Sequence, residues 1–387
     1  MAEIGLTAYR FSIAWPRVIP DGRGKINVEG LDFYDRLVDD LLRHDIEPFA
    51  TLYHWELPQL LEDRGGWYSR DTTDAFQAYT EAVVHRLADR VTNWVTVNEP
   101  WVQAWFGYGE GKHAPGRADG VPGAVTAGHH LLLAHGKAVQ VIRSLAPDSS
   151  VGITLDFWPA YPATDSVDDL KAARKLDCQK NRWFLDPVMR RGYPEGAGEH
   201  IQLLPDGFEA DLETIASPTD FLGANYYSRG VVSAGPSSEG ANVLNIERQT
   251  RTDLGWEVFP EGLRDLLRRL SEEYEIGRLY VTENGAAYAD GPQPGTRAIR
   301  DTRRVEYLHA HFQAAAEAIS SGTVLEGYFV WSLLDNFEWA EGYDDKARFG
   351  IVYVDYETQE RILKDSATWY SSLIAEHRAL HSTGERS

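Results

Sequence analysis

Apolar and polar positions alternate in blocks along the chain, and the blocks predict strands and helices in turn. Nearly continuous apolar runs end near Trp15, Trp55, Glu99, Trp158, Ser228, Glu283 and Leu334. Runs of that kind suit strands buried on both faces. Between them, apolar residues recur at spacings of three and four: Leu31, Tyr34, Val38 and Leu41; Phe76, Tyr79, Val83 and Leu87; Leu263, Leu266, Leu267 and Leu270. That spacing predicts helices with one apolar face. Asn27 and Asp71 are placed to cap the first two helices. Further helices are expected over 125–145, 168–184, 302–320 and 366–379, followed by a polar tail. The segment from Trp101 to Arg117 reads as a loop rich in glycine and aromatics, and Gly235 to Leu254 as a hairpin or loop.

Strand–helix alternation predicts a parallel sheet covered by helices. The polar residues that look functional fall at the carboxyl ends of the strands, which is the active face of a (β/α)8 barrel. A doubly wound sheet also alternates, but it gathers its site at a switch point, usually with a glycine-rich phosphate loop that this sequence lacks. Seven strands are predicted where a closed barrel needs eight. The chain begins almost at once with a strand, so the expectation is a TIM barrel with the first strand missing, in a single domain over 1–387.

Composition narrows the partners. The 387 residues are 43% hydrophobic and 25% charged, enough apolar content for a full core. The net charge of −21 disfavours nucleic acid and anionic membranes. The single cysteine, Cys178, rules out an intrachain disulfide. No basic-then-apolar leader opens the sequence and no apolar run reaches membrane-spanning length, so a cytoplasmic protein is expected. His129, His130 and His135 lack metal-ligand spacing, and no metal is expected there.

Two strands end in a carboxylate. Trp94-Val-Thr-Val-Asn-Glu99 stops at Pro100, and Leu279-Tyr-Val-Thr-Glu283 runs into Asn284-Gly285. Only tertiary structure can bring the two glutamates together. Paired carboxylates are what cleavage of a glycosidic bond requires, one as acid and one on the other face of the sugar, about 5–5.5 Å apart in a retaining enzyme. Their pKa values must be pushed apart. Arg10 is a candidate cation to keep one ionised, and Tyr227 a candidate donor to the same group.

These stretches, with Tyr9-Arg-Phe-Ser-Ile-Ala-Trp-Pro-Arg17, Leu52-Tyr-His-Trp-Glu-Leu-Pro-Gln59, Asn225-Tyr-Tyr227 and Val330-Trp-Ser-Leu-Leu-Asp-Asn-Phe-Glu-Trp339, together resemble glycoside hydrolase family 1, the β-glucosidase family. The resemblance runs from residue 1 to about residue 376. It implies retaining hydrolysis of β-D-glucosides or short β-linked oligosaccharides, with β-galactosides and β-fucosides as further substrates. Glu283 is the implied nucleophile and Glu99 the acid/base. Arg10, Tyr227 and Asn225 are implied to orient the nucleophile. His54, Trp55, Asn98, Trp331, Glu338, Trp339 and Phe349 are implied to bind the sugar. Trp101 and Trp256 match the entrance where the leaving group lies. No cofactor is implied. Against the family's pattern, the opening strand and its sugar-binding glutamine look absent, which predicts exposed barrel edges open to solvent or to a second copy. The alternatives are a truncated, weakly active or inactive sugar-binding remnant, and an enzyme for phosphorylated sugars, which Glu338 would repel.

Overall fold

Seven parallel strands form one sheet in chain order: β1 (Ala8–Ser12), β2 (Glu47–Tyr53), β3 (Asn93–Asn98), β4 (Ser150–Phe157), β5 (Phe221–Tyr226), β6 (Arg278–Asn284) and β7 (Leu325–Val330). The computed structural model describes residues 1–235, 241–246 and 250–384. Part of the predicted 235–254 segment and the end of the polar tail therefore lie outside the described residues. All six residues of β3 are buried, the polar Asn93, Thr96 and Asn98 along with Trp94, Val95 and Val97, as a strand covered on both faces requires.

The sheet curls into a near-closed TIM-like barrel with helices outside. Phe49, Val95, Phe221 and Tyr280 plug its interior, with Phe49 and Tyr280 edge to face at 5.6 Å. They sit near the amino ends of their strands, which leaves the opposite mouth to polar residues. β1 and β7 are the two edges of the sheet, mostly half-buried, and a cavity of about 870 Å³ lies between them.

The helices follow the predicted apolar faces. Leu31, Tyr34, Val38 and Leu41 are buried in the helix Val28–Arg43, and Leu263, Leu266, Leu267 and Leu270 in Pro260–Glu273. The helix Thr302–Ser320 keeps its predicted bounds.

Several local expectations change. Asn27 stands at the N-cap position, but its amide donates to the Arg17 carbonyl at 3.0 Å and caps nothing. Ser69, not Asp71, precedes the helix Arg70–Leu87. β1 stops at Ser12, because Pro16 starts a helical turn at Trp15–Val18. Residues 103–109, expected as loop, form a wide helical turn packed on the helix Gly120–Leu145, with Ala104 and Tyr108 fully buried. The helix expected over 168–184 is Val167–Asp177, then a wide turn at Cys178–Arg182, then Trp183–Val188. A short helix at Phe208–Ile215 has no counterpart in the sequence reading. Ala241–Val243 pairs antiparallel with Gly230–Ala234, a strand that precedes the 235–254 segment, and residues 236–240 between them lie outside the described residues.

Among the described residues, no helix is long and apolar enough to cross a membrane.

Candidate active site

Glu99 leaves β3 at the barrel mouth. Pro100 cannot extend a ladder and opens a helical turn, and Glu99 itself takes a left-handed backbone, φ 47°. Such a conformation is costly for a side chain with a Cβ and persists only where its surroundings impose it. Here the Glu99 amide is held by the Thr154 carbonyl on β4 at 2.9 Å. Trp55 and Trp339 also have positive φ, and all three residues line one cavity.

Glu283 is the next-to-last residue of β6, beside Asn225, its register partner on β5. Arg10, from β1, donates to Glu283 Oε1 at 2.7 Å, and the Tyr227 hydroxyl donates to Oε2 at 2.7 Å. The Asn225 amide donates to Glu99 Oε1 at 2.6 Å and also favours the ionised Glu283. Thr282 fixes that amide by donating to Asn225 Oδ1 at 2.7 Å. Gly285 follows because nothing larger fits: a Cβ there would stand 1.7 Å from the Trp331 carbonyl oxygen.

The two carboxyls feel different surroundings. Burial raises the pKa of both. At Glu99 the negative charges of Glu283 and Asp156 add to the rise. At Glu283, Arg10, Tyr227 and Asn225 all oppose it. The fold thus favours a proton on Glu99 and a charge on Glu283.

Asn98 lies behind this pair, fully buried. Its Oδ1 accepts from Arg10 and, at 3.3 Å, from Asn225, and its amide donates to His54 Nε2 at 3.1 Å. Burial and the nearby Arg10 charge hold His54 neutral, as that acceptor role requires.

The cavity, about 860 Å³, brings together Glu99, Glu283, His54, Trp55, Trp101, Asn225, Tyr227, Trp256, Trp331, Glu338, Trp339 and Phe349. Arg10 and Asn98 support it from behind, and Arg10 lines the edge cavity instead. Trp55 and Trp339 meet at 4.5 Å, and His54 stacks on Trp339 at 5.5 Å. Trp101 is half-buried, and Trp256 is 37% exposed at the rim. The segment carrying Glu338 and Phe349 is anchored by buried Asp335, which accepts from Lys364, Arg348 and the Gly350 amide, each at 3.0 Å.

Burial lifts Glu338 to about 8, with Glu283 and Glu341 adding to the rise and Lys112 opposing it. A carboxyl whose folded-state pKa lies above its unfolded value holds a proton that the unfolded chain releases, so its contribution to stability falls as pH rises through that window. We expect the melting temperature to fall between pH 4.5 and about 8, and to fall less steeply in Glu338→Gln, by calorimetry. Identical slopes would remove Glu338 from the explanation.

The sequence reading missed several residues of this cavity: Asp156, Lys180, Lys112, His113 and the pair Arg229–Glu257, bonded twice at 3.0 Å. A lone charge within an apolar run was the only available signal for Asp156. The discounted histidines lie elsewhere, each bonded separately: His129 to Tyr193 at 2.8 Å and Asp211 at 3.0 Å, His130 to the Trp67 carbonyl at 2.8 Å, and His135 to Thr96 at 2.7 Å. Among the described residues no three His, Cys, Asp or Glu side chains are grouped to hold a metal.

Two buried carboxyls sharing one aromatic-walled cavity at a barrel mouth define a glycoside hydrolase of the barrel class. The chain belongs to glycosyl hydrolase family 1, whose family model matches residues 1–379. That match begins at residue 1 and does not bear out the expectation of an absent opening segment. The 1,4-beta-D-glucan glucohydrolase of Thermotoga neapolitana is 47% identical over 96% of this chain and 83% of its own length. The bifunctional beta-D-glucosidase/beta-D-fucosidase of Bifidobacterium breve is 42% identical over 98% of this chain and 86% of its own. The beta-glucosidase from Thermotoga maritima, solved with castanospermine, superposes with a TM-score of 0.92 at 44% identity, covering 97% of this chain and 84% of that one.

Proposed function

We propose that this chain is a retaining exo-β-glycosidase that hydrolyses β-D-glucosides by double displacement, as one domain and without a cofactor. Glu283 attacks the anomeric carbon while Glu99 protonates the leaving oxygen. In the second step Glu99 takes a proton from water, which attacks the same carbon and releases Glu283. The sugar that leaves keeps its β configuration.

The supporting observation is the asymmetry of hydrogen bonds. The charged Arg10 and the Tyr227 hydroxyl both donate to Glu283 and not to Glu99, whereas Asn225, a neutral amide, favours the ionised form of either carboxyl. The residue held ionised is the nucleophile, and the residue driven toward its protonated form is the acid. Once Glu283 is esterified its charge is gone, the Glu99 pKa drops, and the acid becomes a base.

In this reading His54, Trp55, Asn98, Trp331, Glu338, Trp339 and Phe349 hold the glucosyl unit, and Trp101 and Trp256 flank the leaving group. Fucosides are included because one relative carries that activity in its name. Cellulose-derived oligosaccharides fit the glucan glucohydrolase name of another.

Proton NMR of an aryl β-glucoside during its first minutes of hydrolysis tests the stereochemistry. The expected first product is β-glucose, with α-glucose appearing later by mutarotation. α-Glucose formed first would overturn the double displacement.

A further inference from the structure

Beyond the paired carboxyls, the cavity holds one buried cation whose purpose the mechanism leaves open. Lys180 is 7% exposed at its side chain. Its ammonium donates to Asp156 and lies 3.3 Å from the centre of the Trp101 ring. Both members of the pair line the cavity. An ammonium has three donors. Asp156 is the hydrogen-bonding acceptor for one of them among the described residues, and a flat aromatic face takes the charge but not all of the remaining N–H bonds.

The pair is on the acid side of the site. Asp156 is the register partner of Asn225, which donates to Glu99. The charges of Asp156 and Lys180 act on Glu99, with opposite signs. Arg10 and Tyr227, by contrast, serve Glu283. A leaving group protonated by Glu99 must pass this wall.

The position of Lys180 is also fixed in advance. It lies in the wide turn Cys178–Arg182, a kind of helical bulge often found at functional sites. The next residue, Asn181, clamps that turn to the end of β4. Its Oδ1 accepts from the Trp158 amide at 2.9 Å and its Nδ2 donates to the Trp158 carbonyl at 3.2 Å. Asp177 accepts from Asn181 at 2.8 Å and from Arg269 at 2.7 Å.

Tethering alone does not account for the pair. A buried ion pair pays for desolvation and is often no better than apolar packing. One that faces a ligand cavity can recover that cost from a bound hydroxyl.

We propose that Lys180 and Asp156 form a polar leaving-group subsite, which selects hydroxyl-bearing alcohols such as a second sugar over apolar alcohols. Lys180, seated over the face of Trp101, donates to a hydroxyl of the leaving sugar, and Asp156 holds the ammonium in place. This rests on the glycosidase reading above. It predicts a differential loss, because removing a charged partner of a hydroxyl costs roughly 10- to 100-fold for the substrate that has the hydroxyl.

The test compares kcat/KM for cellobiose and for n-hexyl β-D-glucoside, each at its pH optimum, in the wild type, Lys180→Met and Asp156→Asn. Both substrates release an alcohol that needs a proton, so a change in Glu99 acidity affects both. We expect the cellobiose-to-hexyl ratio to fall roughly 10- to 100-fold in Lys180→Met, and less in Asp156→Asn, which keeps the shape of the wall. An unchanged ratio in both variants overturns the subsite, whether the two rates hold or fall together. If Lys180→Met does not fold, Asp156→Asn alone decides by the same ratio. A wild type inactive on every β-glucoside would instead overturn the glycosidase reading, and the subsite with it.

Discussion

Glu283→Ala is expected to lower kcat/KM for an aryl β-glucoside by at least about 10⁴-fold, since in the proposed mechanism Glu283 forms the covalent intermediate. The loss should not come from unfolding. Arg10 keeps acceptors at Asn98 Oδ1 and at the Thr282 carbonyl, 3.4 Å away, when the carboxylate is gone. The methyl group leaves room where the carboxylate stood. Azide can enter that space, attack the face that Glu283 attacked and restore turnover. Steady-state kinetics with circular dichroism as a folding control checks this. Activity within tenfold of wild type would exclude Glu283 as nucleophile.

Glu99→Ala should show a different pattern, governed by the leaving group. For cellobiose or an alkyl glucoside, which need a proton on the departing oxygen, a loss of about 10²–10⁴-fold is expected. For 2,4-dinitrophenyl β-glucoside the first step needs no such help. The glycosyl-enzyme then accumulates because water lacks its base, and a burst of dinitrophenolate precedes a slow steady state. Stopped-flow absorbance reads both phases. Equal losses on both substrate types, with no burst, would deny Glu99 its role as acid.

The barrel and the paired carboxyls were legible in the sequence because both are written locally. A strand buried on both faces is mostly apolar, and the residues at its carboxyl end emerge at the mouth. Glu99, His54 and Tyr227 directly follow their strands, and Asn225 and Glu283 lie one residue before the ends of theirs; Arg10 sits within the half-buried edge strand β1. Boundaries were less legible. Trp15 has strand character, but Pro16 claims it for a helical turn. The segment 101–117 looks like a loop by its glycines, yet Gly107 and Gly109 are small because backbone and neighbouring side chains crowd them.

The residues that escaped were those whose purpose depends on a distant partner. Asp156 and Lys180 read as unrelated charges, one in a strand and one on a helix, until a wide turn aims one at the other. His113 escaped for a similar reason. It reaches the cavity only because the preceding turn packs against Gly120–Leu145 and brings its ring within 5.5 Å of Trp55.

Azide rescue of the two variants, with product configuration assigned by proton NMR, examines the opposed placement of the carboxyls directly. The expected product is α-glucosyl azide from Glu283→Ala, where azide replaces the nucleophile, and β-glucosyl azide from Glu99→Ala, where it replaces the attacking water. The same anomer from both variants would contradict two side chains acting on opposite faces of one anomeric carbon.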